Sequence, residues 1–204
     1  MKFVALLLIA AGACLAADAA AAVDDQIAPG ELSKAVAQCE SCHGPKGDST
    51  RPDVPRLNGQ KATYIESRLR GFRDVTRQDP HAINAMWRLS TQTGDEMATA
   101  LAQYFAAQAP TEPLWRGGAM AAKGKALFEH GAPAQNIPAC ASCHVTHGEG
   151  GVTAPRLAGQ HAAYLTDAMD VFRFALRESD SMHPALNNID DDQIKALVAY
   201  LTTD

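Results

Sequence analysis

Two short clusters hold most of the chemistry open to this chain: Cys39-Glu40-Ser41-Cys42-His43 and Cys140-Ala141-Ser142-Cys143-His144. Two thiols one helical turn apart, followed at once by an imidazole, can form thioethers to the two vinyl groups of one porphyrin and offer nitrogen to its iron. Other uses of a Cys-x-x-Cys pair compete with this one. A zinc site usually brings its two pairs within about 15–20 residues of each other, whereas Cys140 follows Cys39 by 101 positions. A dithiol redox motif expects a βαβ context, and the sequence offers none. Paired disulfides suit an exported chain but leave the histidine after each pair unexplained. The reading is therefore two covalently bound haem c groups, attached at Cys39, Cys42, Cys140 and Cys143, with His43 and His144 as axial iron ligands.

Each iron needs a sixth ligand. Met86 and Met182 each lie just before the last helix of their half, 18 positions ahead of Tyr104 and Tyr200 respectively. Nearby His81 and His183 align with Arg177 and Trp87, so only methionine occurs at equivalent places in both halves. Met86 and Met182 are the expected sixth ligands; Met97, Met169 and Met120 read as packing residues, and His130, His147 and His161 as surface residues. Histidine–methionine ligation raises the reduction potential and leaves no open coordination position, which favours electron transfer over oxygen chemistry. The second N–H of each axial imidazole needs an acceptor. The carbonyls of Pro55 and Pro155, in loops stiffened by a ring lacking its own N–H, are the candidates, and Leu57 and Leu157 are expected to pack on the porphyrins. Gly59 and Gly159 read as tight turns or close approaches.

These residues sit in a tandem repeat. PRLNGQ at 55–60 recurs as PRLAGQ at 155–160, and Tyr64, Phe72 and Arg73 recur as Tyr164, Phe172 and Arg173. Two copies make a duplicated domain and not a solenoid. Helical periodicity predicts first helices over Glu31 to Cys39 and Met120 to Phe128, middle helices over Ala62 to Phe72 and Ala162 to Phe172, and last helices before each C-terminal boundary. Thr93 with Glu96 suggests a capping box for one last helix, and Asp190, Asp191 and Asp192 place negative charge at the start of the other. No alternating strand pattern appears, so the expected class is all-α. The expected division is a secretory signal peptide over 1–19, a domain over 23–108, a Pro/Gly-rich linker over 109–118 and a second domain over 119–204. The leader reading rests on a basic start, a short apolar core and small residues at its exit, a core shorter than the roughly 20 residues of a spanning helix.

The chain has 204 residues, 47% of them apolar and 20% charged, with a formal charge of -5. That acidic balance argues against a nucleic-acid partner. The charge is uneven: residues 23–110 hold ten Lys/Arg and eleven Asp/Glu, net -1, and residues 111–204 hold seven and eleven, net -4. Arg68, Arg70, Arg73 and Arg77 crowd the first middle helix, either as a solvated face or as an asymmetry that orients the protein on its partners.

CESCHGPKG, PRLNGQ and the segment after Met86, followed by CASCH, PRLAGQHAAY and the segment after Met182, resemble the di-haem cytochrome c4 family over the whole of the chain beyond the leader. The resemblance implies two tandem class I cytochrome c domains, each about three to five helices around one covalent haem, with the haem propionate edges facing one another. It implies a periplasmic or peripherally membrane-associated carrier of single electrons, taking them from a quinol-oxidising complex or a dehydrogenase and passing them to a terminal oxidase. Two other readings stay open: a cytochrome subunit of a sulfide- or sulfur-compound dehydrogenase, and a di-haem peroxidase or thiosulfate-oxidising enzyme, which would need one iron with a displaceable ligand. The segment 74–84 before Met86 departs from its counterpart before Met182.

Overall fold

The computed structural model describes residues 27–202 apart from 29, 78, 80–84, 115, 116 and 178; the expected signal peptide and His81 lie outside the described residues. In the first half these residues form α1 (Glu31–His43), α2 (Ala62–Arg73), α3 (Trp87–Ser90) and α4 (Asp95–Ala106). The second half forms α5 (Ala119–His130), α6 (Ala141–His144), α7 (Ala162–Arg173), α8 (Met182–Leu186) and α9 (Asp191–Leu201). Among the described residues, extended pairing is limited to two isolated bridges, Ala132–Ile137 and Gln160–Thr202. The all-α architecture in two repeated halves is the one the periodicity predicts.

Helix ends explain where the sequence reading needs correction. α1 does not stop at Cys39 but carries Cys42 and His43 as well, ending where Gly44 turns the chain at φ 77, ψ 164 and returns its N–H to Glu40 O. In the second half the same stretch is split: α5 ends at Gly131, a tight turn over Pro133–Gln135 intervenes, and α6 restarts to carry Cys143 and His144. The expected Thr93–Glu96 capping box does not form. α4 starts at Asp95 with Gly94 as its N-cap, because the Thr93 hydroxyl turns back to Leu89 O at 3.1 Å and closes the end of α3 instead. A capping box does form on α9, where Gln193 N donates to Asp190 Oδ1 at 2.8 Å and Asp190 N to Gln193 Oε1 at 3.0 Å.

The residue after His144 is Val145, at φ 66, ψ 164, the same backbone conformation that Gly44 supplies after His43. That region is essentially reserved for glycine, and a β-branched residue held there costs about 1–3 kcal/mol. Val145→Gly is expected to stabilise the second half by that amount, read as a higher guanidinium midpoint with the haem spectrum unchanged.

Each half has its own core. Val36, Ile65, Leu101, Ala102 and Phe105 form the first, and Leu127, Phe128, Ile137, Leu165, Leu186, Ile189, Ile194, Leu197, Tyr200 and Leu201 the second. Met97 and Met169 pack against these cores, as expected of filler. Met120 does not: it lies in the first turn of α5, 45% exposed. α5 crosses α9 at Gly124, where any Cβ would fall 1.8 Å from the carbonyl oxygen of Ala196, so only glycine permits this approach.

The halves meet through their repeated loops. Gly59 and Gly159, at φ 66 and φ 76, turn the PRLxGQ segments back so that their N–H groups bond Phe105 O and Leu201 O at 3.0 and 2.8 Å. A Cβ on Gly159 would meet Thr111 O at 1.8 Å, which presses the segment joining the halves onto the loop. Arg56 Nη1 reaches across to Gly159 O at 2.7 Å. His161, expected at the surface, is 3% exposed and donates from Nε2 to Ser49 O of the other half at 2.8 Å. It is buried by the partner half, which a pattern internal to one repeat cannot reveal.

Candidate functional site

α1 and α6 place the two thiols of each pair one turn apart and direct the histidine that follows into the protein. Cys39 and Cys140 are half-buried at the edges of the two cores, while Cys42 and Cys143 are exposed. Burial pushes the Cys39 and Cys140 thiols up to about 11. Ser41 and Ser142, between the cysteines, donate back three residues to Gln38 O and Ala139 O at 2.7 Å, in the last turn of α1 and at the start of α6 respectively.

His43 and His144 are 7% and 5% exposed. Each donates Nδ1–H to a proline carbonyl in the loop that follows: His43 to Pro55 O at 2.8 Å, His144 to Pro155 O at 2.9 Å. Burial is the leading cause that pushes both imidazoles below their usual value. A buried, neutral imidazole whose Nδ1 proton is committed presents Nε2 as its free donor, the state an iron ligand requires. Leu57 borders the first core with Cys39, and Leu157 borders the second with Cys140 and Met182.

The two methionines are held differently. Met182 opens α8, its N–H donated to Ser179 Oγ at 2.9 Å, and the adjacent His183 donates Nδ1–H to Phe172 O at 2.8 Å, tying α8 to the end of α7. Met86 is half-buried immediately before α3. Neither Ser179 nor the His183 contact was legible in sequence, since both depend on where α7 ends.

A second group also escaped the sequence reading. Of the four crowded arginines, Arg70 pairs with Glu66 at 2.8 Å and Arg73 with Asp95 at 2.7 Å, and Arg68 lies over Tyr64. Arg77 is instead buried, beyond the end of α2, stacked on Phe72 and bonded to Asp79 at 2.6 Å. Its counterpart is Arg177, which the sequence reading aligns with His81: Arg177 stacks on Phe172 and reaches the same Asp79 across the interface at 3.2 Å. The offset of 100 therefore persists to Arg177, and the halves diverge only after it. Tyr64 lies close by, its hydroxyl pushed up to about 12 by burial and by Tyr164. Among the described residues, two guanidiniums share the buried carboxylate of Asp79.

The comparisons with known proteins agree with this geometry. The cytochrome c family pattern matches residues 121–203. Cytochrome c-552 of Acidithiobacillus ferridurans is 38% identical over 207 residues, covering 100% of this chain and 86% of that protein. Cytochrome c4 of Thiocapsa roseopersicina is 36% identical over 175 residues, covering 83% of this chain and 88% of that one. The chain belongs to the cytochrome c4 family. The structure of Acidithiobacillus ferrooxidans cytochrome c4 superimposes with a TM-score of 0.76 at 37% identity, covering 82% of this chain and 99% of that one. A thiosulfate dehydrogenase electron acceptor of Stutzerimonas stutzeri is 32% identical over 180 residues, covering 84% of this chain and 81% of that protein. Membership of the cytochrome c4 family makes the chain a di-haem electron-transfer cytochrome with two covalent haem c groups, one at each Cys-x-x-Cys-His. No helix among the described residues is long and apolar enough to cross a membrane.

Proposed function

We propose that this cytochrome is exported to the periplasm after loss of residues 1–19 and shuttles single electrons between a respiratory donor and an acceptor such as a terminal oxidase. Domains over 23–108 and 119–204, joined by 109–118, each hold one haem. Cys39 with Cys42, and Cys140 with Cys143, hold the porphyrins as thioethers; His43 with Met86, and His144 with Met182, hold the irons. Each haem supplies one reversible electron at its iron. The chain's own residues fix the imidazoles through Pro55 and Pro155 and wall the haems with Leu57 and Leu157. The observation that carries this reading is the repeated, buried His Nδ1–H to proline carbonyl bond, made identically in both halves at 2.8 and 2.9 Å.

A potentiometric titration of the purified protein tests it: two one-electron waves and two haems per polypeptide by pyridine haemochrome are expected, and any other ratio contradicts it. The net -1 and net -4 of the two parts predict that reduction by a positively charged protein donor slows as ionic strength rises through about 0.15 M, where the Debye length shrinks to about 8 Å. A rate flat across that range would remove electrostatic steering from the account.

The relative that serves as a thiosulfate dehydrogenase electron acceptor supports a second reading, a cytochrome dedicated to one dehydrogenase. Stable co-purification with a catalytic subunit distinguishes it from a free shuttle. An enzymatic role requires one iron to bind carbon monoxide or peroxide rapidly in the native protein.

A further inference from the structure

The groups that hold the irons and the groups that join the halves share a peptide. The Pro55 carbonyl that accepts from His43 belongs to the same amide as the N–H of Arg56, and that N–H is donated to Gln160 Oε1, in the other half, at 2.9 Å. The mirror arrangement is present: the Pro155 carbonyl accepts from His144, and Arg156 N–H is donated to Gln60 Oε1 at 2.7 Å. Each glutamine completes a two-pronged grip, Gln160 Nε2 on Arg56 O at 3.1 Å and Gln60 Nε2 on Arg156 O at 2.9 Å. Their oxygens also accept the backbone N–H of His161 and Lys61 at 3.0 and 2.9 Å. The two glutamines are 7% and 6% exposed, so both grips lie largely out of bulk water.

We propose that Gln60 and Gln160 are crossed positioning residues: Gln160 of the second half tunes the iron held by His43, and Gln60 of the first half tunes the iron held by His144. This rests on the assignment of the two histidines as axial ligands. An amide that gives its N–H to an acceptor becomes a better acceptor at its carbonyl, by about 10–30% per bond in a hydrogen-bonded chain. A stronger Nδ1–H···O bond makes the imidazole more basic and favours ferric over ferrous iron. Each glutamine therefore lowers the potential of the haem in the opposite half, and the junction between halves becomes part of the second coordination sphere of both irons.

The test uses Gln160→Leu and Gln60→Leu in the full, two-haem protein, with proton NMR following each imidazole Nδ1–H and each axial methionine methyl, and potentiometry giving each haem's potential. Gln160→Leu should favour reduction of the first-half haem about threefold, about 28 mV at 59 mV per tenfold, and move the His43 Nδ1–H resonance while the His144 signal stays in place. Gln60→Leu should do the reverse. Gln160→Glu, which keeps an acceptor for Arg56 N–H, should hold the first-half potential at or below that of the unaltered protein. Equal shifts of both haems, a shift confined to the haem of the altered half, or no shift overturns the proposal, because a merely loosened junction has no crossed signature. The unaltered protein separates the two assignments. Absence of axial imidazole and methionine signals there overturns the ligand reading and the proposal together, whereas normal signals without a crossed shift overturn the proposal alone.

Discussion

Replacing Cys140 and Cys143 together by alanine should give a mature protein with one covalent haem in place of two, and with its second half no longer cooperatively folded. On the proposed assignment the two thiols are the covalent hold on that porphyrin, and without them only the reversible bonds of His144 and Met182 would remain. The consequences extend beyond the cofactor because Cys140, Leu157 and Met182 border the same core, so losing the porphyrin removes the surface against which they pack. A domain of about 90 residues buries only about 64% of its chain surface, and a tethered porphyrin adds to folding free energy through the apolar surface it buries in the folded half. The junction should weaken as well, since Gln160 and His161 grip the first half only while the second holds its shape. Haemochrome absorbance per polypeptide should halve, and the unfolding signal contributed by the second half should lose amplitude. The corresponding Cys39→Ala, Cys42→Ala protein should lose the other haem, and its richer second core should stay folded more completely. Retention of two haems per chain by either double variant would falsify the attachment sites.

How much of this was legible beforehand differs by feature, for physical reasons. The cysteine pairs, the following histidines and the PRLxGQ loops are local in sequence, and the chemistry of a covalently held porphyrin fixes their spacing, so they could be read directly. The middle helices were also legible because Ile65 and Leu69, or Leu165 and Met169, recur on one face with no competing pattern. Helix ends were not. Thr93 could cap α4 or close α3, two local bonds of similar strength, and only the packed structure shows that it bonds Leu89 O. Residues buried by the meeting of the halves were the least legible. His161 and Arg177 carry no periodic signature; they are buried where the halves dock on one another, and their partners Ser49 and Asp79 lie about a hundred positions away. The misaligned pairing of His81 with Arg177 came from counting backwards from the methionines, whereas Phe72 and Phe172, each under a stacked guanidinium, show that the register holds to Arg77 and Arg177.

Met182→Leu should have the second large effect and tests the sulfur ligand with little change to the fold. Leucine keeps most of the apolar volume that Met182 presents to the second core, a swap that usually costs less than about 1.5 kcal/mol, and the backbone bond from residue 182 to Ser179 survives because it uses the main-chain N–H. What disappears is the thioether sulfur. If Met182 is the sixth ligand, the second-half iron becomes five-coordinate, binds carbon monoxide rapidly, and its potential falls by about 0.1–0.3 V, a fraction of the roughly 0.8 V that axial ligation spans among haem proteins. The first-half haem should keep its potential and remain closed to carbon monoxide, giving half-stoichiometric binding. His183 is the control: its Nδ1–H is committed to Phe172 O, so His183→Leu should loosen α8 and broaden the methionine methyl signal without creating a carbon monoxide site. The opposite pattern, a closed site in Met182→Leu and an open one in His183→Leu, would transfer the ligand role from sulfur to imidazole. The same substitution at Met86 should open the first-half iron alone, so the pair of variants locates each sulfur ligand independently.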